Sequence, residues 1–287
     1  MEAFIAANET TLRLVAFGGV LVVMAVLEAA MPRRQRSQGR VRRWISNLGV
    51  VVVSAVLVRL VFALLATGVA VIAEERGWGL FNNVDLPYWL VFLASILLLD
   101  LVIYLQHVLF HAIPTLWRLH MMHHTDLDLD VTSGLRFHPI EIVLSMVIKM
   151  AAVAALGPPA AAVVVFEVLL NATAMFNHAN FRLPLGVDRI LRLIVVTPDM
   201  HRVHHSIYPN ETNSNYGFNF PWWDRLFGTY RPQPMEGHEG MTIGLEEYRD
   251  GSALALHRLL VLPFIARLGP YPINRRDTRP PSEREAA

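Results

Sequence analysis

Three stretches of this chain, residues 11–31, 46–73 and 88–111, stay apolar for at least twenty residues, and the roughly 30 Å hydrocarbon core of a bilayer takes about 20 residues of helix to cross. They predict membrane-spanning helices. Two further apolar runs, 139–156 and 160–177, are joined by Leu156-Gly157-Pro158-Pro159-Ala160. A Gly-Pro-Pro turn breaks a helix, so the pair predicts a tight hairpin that either crosses the membrane or dips into it. Composition agrees: 54% of residues are hydrophobic and the mean hydropathy is +0.39, above the usual range for a soluble domain. The expected fold is all-α, an integral membrane bundle of about four to five transmembrane or re-entrant helices.

The loop after the first run carries Arg33, Arg34, Arg36, Arg40, Arg42 and Arg43, whereas the loop after the second holds Glu74, Glu75, Asp85 and a single Arg76. Basic loops stay cytoplasmic. The N-terminus is therefore expected outside, with the third run heading inward and everything from His107 to His124 on the cytoplasmic face; the hairpin returns His178 to that same face. No Ala-x-Ala-like cleavage site follows the first run closely, so it reads as a retained anchor. The expected organisation is an anchor and basic loop (1–43), a membrane domain with a helical cap (44–268) and a charged, proline-containing, disordered tail (269–287). The arginine-interrupted stretches DRILRLIVV and ALALHRLLVLPFIARL are short enough to lie in the membrane interface. Lys149 and Glu167 sit nine residues either side of Pro158, so an antiparallel hairpin brings them to one depth, where they can pair. A net charge of +1 gives no reason to expect nucleic acid as a partner. Having no cysteine removes disulfides, thiolate ligands and a cysteine nucleophile together.

Ten of the twelve histidines fall between residues 107 and 205. His107 and His111, at i and i+4, project from one side of a helix, and Asp100 and Tyr104 extend that face by two turns. The spelling His-x-x-His-His occurs twice, at His120/His123/His124 and at His201/His204/His205. In each, the first histidine shares a face with both others, while the adjacent two point about 100° apart. Such a fork suits two ions held close together. Eight neutral imidazoles gathered without metal would bury donors and acceptors that have no evident partners, which is costly. His138 alone reads equally well as an interfacial hydrogen-bonder. Imidazole suits zinc, copper, iron and nickel alike, yet eight histidines exceed the usual three-ligand zinc hydrolase site. Two irons, with positions left for dioxygen, fit the count better. Asp126 and Asp199 are spaced to orient imidazole N–H groups rather than to bind metal, and the acidic run Asp126-Leu127-Asp128-Leu129-Asp130 reads equally well as a solvated loop.

The segments YLQHVLFH, LWRLHMMHH, DVTSGLRFHPIE, FNHANFRLP, TPDMHRVHHS and TNSNYGFNFPWWDRLFGTY, in this order between Trp78 and Arg231, resemble the fatty acid hydroxylase and sterol desaturase superfamily, particularly its bacterial sterol-desaturase-like members. The resemblance implies a non-haem di-iron oxygenase that uses dioxygen and two electrons to hydroxylate or desaturate a C–H bond of a lipid. Carried over by position, the ligands are His107, His111, His120, His123, His124, His201, His204 and His205, with His178 and His138 as further members and Asn177 beside them. Acyl 2-hydroxylases of this superfamily carry a further His-x-x-x-His that this chain lacks, Ala174 and Arg182 standing four residues either side of His178. A sterol, an ether lipid or another polar lipid is therefore the expected substrate, entering sideways from the bilayer. There is no Gly-x-Gly-x-x-Gly after a strand and no P-loop, so electrons are expected from a separate ferredoxin or b-type cytochrome with its reductase. The expected location is a bacterial inner membrane with the metal site at its cytoplasmic face. The competing reading, a histidine-rich membrane zinc protein acting as transporter or lipid hydrolase, fits less well. A transporter holds its ligands near mid-membrane, whereas His107 and His111 sit at the end of a span.

Overall fold

The structure, a computed structural model, describes residues 2–251 and 254–273. Most of the tail expected to be disordered, residues 274–287, lies outside the described residues. Among the described residues, five segments are long and apolar enough to cross a membrane: Ala7–Ala30, Arg40–Asn83, Tyr88–Ala112, Pro139–Leu156 and Ala160–His178. No named strand occurs among the described residues. The chain is an all-helical integral membrane bundle whose outer face is greasy: Val22, Val52, Leu60, Leu93, Leu109 and Val147 are all exposed.

The first helix, α1 (Glu2–Ala30), lies along the hairpin's second helix; α2 (Arg40–Val61) and the short α3 (Ala66–Arg76) follow. Here the structure departs from the expectation of one continuous second span. Phe62 is extended (φ −114°, ψ 117°) and ends α2; α3 then turns its small buried face, Ala66, Ala70 and Ala73, onto the core around Ile96, Val153 and Phe166. Apolarity continues through the break and no proline marks it, so hydropathy does not register it. The next helix, α4 (Tyr88–Ala112), returns to the end of the bundle where α2 begins. Pro114 stops it: the residue before a proline is pushed out of helical geometry, and Ile113 is extended (φ −95°, ψ 117°), so α5 (Pro114–His124) sets off in a new direction with Pro114 in its first turn.

The hairpin appears as α6 (Pro139–Leu156) and α7 (Ala160–His178). Gly157 caps α6 in the left-handed region (φ 63°). It meets Gly79 (φ 89°) backbone to backbone, where a Cβ on Gly79 would lie 2.2 Å from the Gly157 nitrogen. Lys149 pairs with Glu167 across the hairpin, and Arg13 of α1 joins them, 2.5 Å from Glu167.

Beyond α7 the chain forms short helices, α8 (Leu185–Leu191), α9 (Pro198–His204), α10 (Pro209–Thr212), α11 (Trp222–Leu226) and α12 (Gly237–Gly240), then α13 (Leu256–Ile265), which packs on α5 and α2. These cap the end of the bundle where α1, α4 and α7 finish and α2 and α6 begin. The basic loop knits that cap together. Arg33 reaches Asp199 and Glu239, Arg34 donates to the His238 and Met241 carbonyls, and Arg36 and Arg40 face Glu28. Arg43, fully buried, holds Asp126 (2.8 Å) and Asp130 (2.6 Å). The acidic run is thus no solvated loop.

Candidate metal centre

Nine of the ten histidines singled out in the sequence converge at the capped end, in two adjacent groups. His107 and His111 of α4, His120 and His124 of α5 and His204 of α9 form one. His123 of α5, His178 of α7, His201 of α9 and His205, which follows α9, form the other. The adjacent pairs His123/His124 and His204/His205 each divide between the groups, because neighbours on a helix point about 100° apart. Within each group the available ring nitrogens lie within 4.8 Å of one another. None of the nine residues is more than 3% exposed.

The partners of these rings decide what the centre can hold. His107 Nδ1 donates to the Tyr216 carbonyl (2.7 Å), His204 Nδ1 to the Ser214 carbonyl (2.7 Å) and His178 Nδ1 to the Ala174 carbonyl (2.7 Å). His120 Nδ1 meets Glu141 Oε1 at 2.7 Å and His111 Nδ1 meets Asn213 Oδ1 at 3.2 Å. A carbonyl oxygen only accepts, so the proton sits on Nδ1 and the Nε2 lone pair faces inward. His107 Nε2 then stands 3.1 Å from His120 Nε2, and His178 Nε2 stands 3.1–3.2 Å from Nε2 of His123, His201 and His205. Nitrogens each about 2.1 Å from a shared ion are roughly 3.0–3.4 Å apart. His111, His124 and His204 leave Nε2 buried without a protein partner, a costly state unless a cation takes the lone pair. The residues present fit a pair of metal ions.

Burial keeps these rings neutral, as ligands must be. It lowers His120 to about 3 and takes His123, His124, His201, His204 and His205 well below the usual imidazole value.

His138 does not join either group. As the residue before Pro139 it caps α6, its Nδ1 accepting from the Ile140 amide (3.2 Å) and its Nε2 donating to the Leu260 carbonyl (3.1 Å). The polar residues singled out around the histidines, Asp126 and Asp199 as imidazole orienters among them, bond elsewhere too. Asp100 accepts from Trp223 Nε1 (2.8 Å), Tyr104 bonds Thr229 (2.8 Å) and stacks on Phe227, and Asn177 donates to the Phe218 carbonyl (3.1 Å). Asp199 pairs with Arg33 and Arg202. Asp126 is held by Arg43 and by Ser133 Oγ (2.7 Å); burial pushes its carboxyl up, and the Arg43 and Arg136 guanidiniums overcome this and hold it down at about 2. Sequence reasoning missed the groups that do orient imidazoles. Glu141 had one signal, a lone acid in the first turn of an apolar helix. The Tyr216, Ser214 and Ala174 carbonyls had none, since a main-chain acceptor is present at every position.

Beside the centre, a cavity of 340 Å³ opens among α1, α2, α4, α6 and α7, with a mostly apolar wall. Phe17, Val51, Val58, Ile103, Phe137 and Met146 line it, and His107, His120 and Glu141 close its inner end.

The sequence model of the fatty acid hydroxylase family matches residues 92–229, the span that supplies all nine converging histidines. The match supports the fatty acid hydroxylase and sterol desaturase superfamily as this chain's own. It is 33% identical over 142 residues to an ornithine lipid hydroxylase, OlsE, from Rhizobium tropici, covering 49% of this chain and 42% of that one. It is 28% identical over 201 residues to the alkylglycerol monooxygenase of Xenopus tropicalis (68% and 43%), and 30% identical over 174 residues to that of Danio rerio (58% and 36%). The chain thus spans less than half the length of these curated relatives. No solved structure matches it.

Proposed function

We propose that this protein is a di-iron lipid oxygenase: one ion held by His107, His111, His120, His124 and His204, its neighbour by His123, His178, His201 and His205. The observation that carries the reading is the convergence of nine buried histidine rings, their nitrogens gathered in two adjoining groups, beside a mostly apolar cavity. Two irons supply the activation of dioxygen, so that a C–H bond of the lipid is hydroxylated, or two hydrogens are removed, with two external electrons consumed. The chain's own contribution is placement. Tyr216, Ser214 and Ala174 fix ring tautomers through their carbonyls, Glu141 holds His120, and the cap keeps water from the reacting end. Five imidazoles in one group exceed the four ligands usual for zinc, which favours iron over a zinc hydrolase. The substrate is a polar lipid drawn sideways from the bilayer, in keeping with relatives named for ornithine lipid and alkylglycerol. The electron donor is a separate ferredoxin or b-type cytochrome with its reductase.

The basic loop and the histidines lie at the same end of the bundle, so by the positive-inside rule that end faces the cytoplasm of a bacterial inner membrane. The anchor, membrane domain and tail divide near residues 43 and 268. Metal analysis of anaerobically purified protein, followed by turnover with dioxygen and a reductase system, tests the reading. Two irons per chain are expected, with a lipid product heavier by one oxygen or lighter by two hydrogens. Zinc alone, with activity indifferent to oxygen, overturns it.

A further inference from the structure

Three polar side-chain atoms at residues lining the cavity are buried without a partner: Ser54 Oγ of α2, Gln106 Oε1 of α4 and Glu141 Oε2 of α6. In a mostly apolar wall, each carries the cost of a desolvated, unpaired group. They are not scattered. Gln106 adjoins His107 in the chain and donates through Nε2 to Ser145 Oγ (3.1 Å). Ser145 lies one turn along α6 from Glu141, about 6 Å of rise, and Glu141 is bonded to His120. The free end of the Gln106 amide and the free Glu141 oxygen therefore belong to the end of the cavity that adjoins the metal centre, and the Ser54 hydroxyl belongs to the wall that α2 contributes to the same cavity.

We propose that Gln106, Ser54 and Glu141 make this cavity selective for lipids bearing a hydroxyl group beside the carbon that reacts. This rests on the reading of the cavity as the lipid site and names which lipid it takes. A substrate hydroxyl donates one hydrogen bond, to the free oxygen of Gln106 or of Glu141, and its own oxygen can accept another; a plain hydrocarbon chain leaves all three groups unpaired. A site built to bond a substrate hydroxyl rejects the analogue lacking it more strongly than an apolar pocket rejects a change of size. The hydroxyl-bearing end faces the histidines, and the hydrocarbon extends along Val58 and Phe17.

The test compares two lipids of equal chain length, an alkylglycerol and its di-O-methyl ether, in displacing a radiolabelled alkylglycerol from the full chain in nanodiscs. Wild type is expected to bind the alkylglycerol at least about tenfold more tightly. Gln106→Leu is expected to weaken the alkylglycerol about tenfold and leave the ether unchanged, and Ser54→Ala to shift the ratio in the same direction. Equal affinity in wild type, the result if water alone occupies these groups, overturns the proposal. So does a Gln106→Leu loss shared equally by both lipids. In iron-loaded protein, oxidation near the hydroxyl supports the proposal and oxidation at the far chain end overturns it. Lipid oxidation without hydroxyl preference sinks this inference alone; hydroxyl preference without oxygen-dependent oxidation sinks the oxygenase reading and leaves the cavity's selectivity standing.

Discussion

His107 Nε2 and His120 Nε2 stand 3.1 Å apart with a lone pair on each, because His107 Nδ1 is bound to the Tyr216 carbonyl and His120 Nδ1 to Glu141. Two acceptors at that distance repel unless a cation lies between them. His107→Ala is therefore expected to empty the five-histidine group and His123→Ala the four-histidine group, each lowering metal content from two ions per chain to one. His138→Ala should keep both ions and lose only its cap on α6, about 1 kcal/mol of stability. Metal quantification on the three purified variants reads this directly, and His123→Ala protein that keeps two ions and full turnover would falsify the assignment.

The groups are not equally supported. In the five-histidine group four rings have Nδ1 held by an acceptor, whereas in the other His123, His201 and His205 leave Nδ1 buried and unpartnered. Loss of such outer partners typically costs 10–100-fold in metal affinity. A chelator should remove one ion first, and a spectrum of the half-loaded protein should match that of His123→Ala rather than His107→Ala.

Gly134 sits against α7 where a Cβ would lie 2.2 Å from the Ala174 carbonyl oxygen and 3.1 Å from His178 Nδ1. Main chain opposes main chain there, so neither side yields cheaply. Gly134→Ala is expected to displace the carbonyl that orients His178 and to weaken the four-histidine group selectively. The same measurement of metal content, with the five-histidine ion retained, checks it.

Arg43 and Asp126 are both fully buried. Removing one partner of such a pair strands the other, at a cost of roughly 3–5 kcal/mol. Arg43→Met should lower the unfolding temperature in detergent sharply, and adding Asp126→Asn should restore part of the loss.

Acid should destabilise the metal-free protein. An unfolded imidazole titrates near 6.5, while burial takes His120 down to about 3 and five more rings well below their usual value. Below pH 6.5 the unfolded chain takes up protons that the folded chain refuses, so stability is level above that pH and falls steadily beneath it. Asp126, held near 2, has the opposite profile: its contribution is present above about 3.8 and is lost only as pH falls toward 2. Unfolding temperatures measured between about pH 7.5 and 4.5 should therefore drop on the histidines' account, and a level profile across that window would contradict the burial of neutral rings.

The apolar runs determined the helices, and the Gly-Pro-Pro turn determined the hairpin, because bilayer thickness and helix rise are fixed lengths that a sequence must meet residue by residue. Histidine spacing determined as much of the centre as one helix can show: His107 with His111 on one face, and two forks that send adjacent rings to different groups. Only the tertiary structure decided which distant rings share a group, that His204 stands with α4 and α5 while His205 stands with His178 of α7. It also decided the backing of those rings. Asp126 and Asp199, local to the motifs, were drawn off by Arg43 and Arg33, which stand 83 and 166 residues away in sequence, and Glu141 and main-chain carbonyls took their place. Spacing along a helix is a local property, whereas the choice of hydrogen-bond partner depends on which segments pack together.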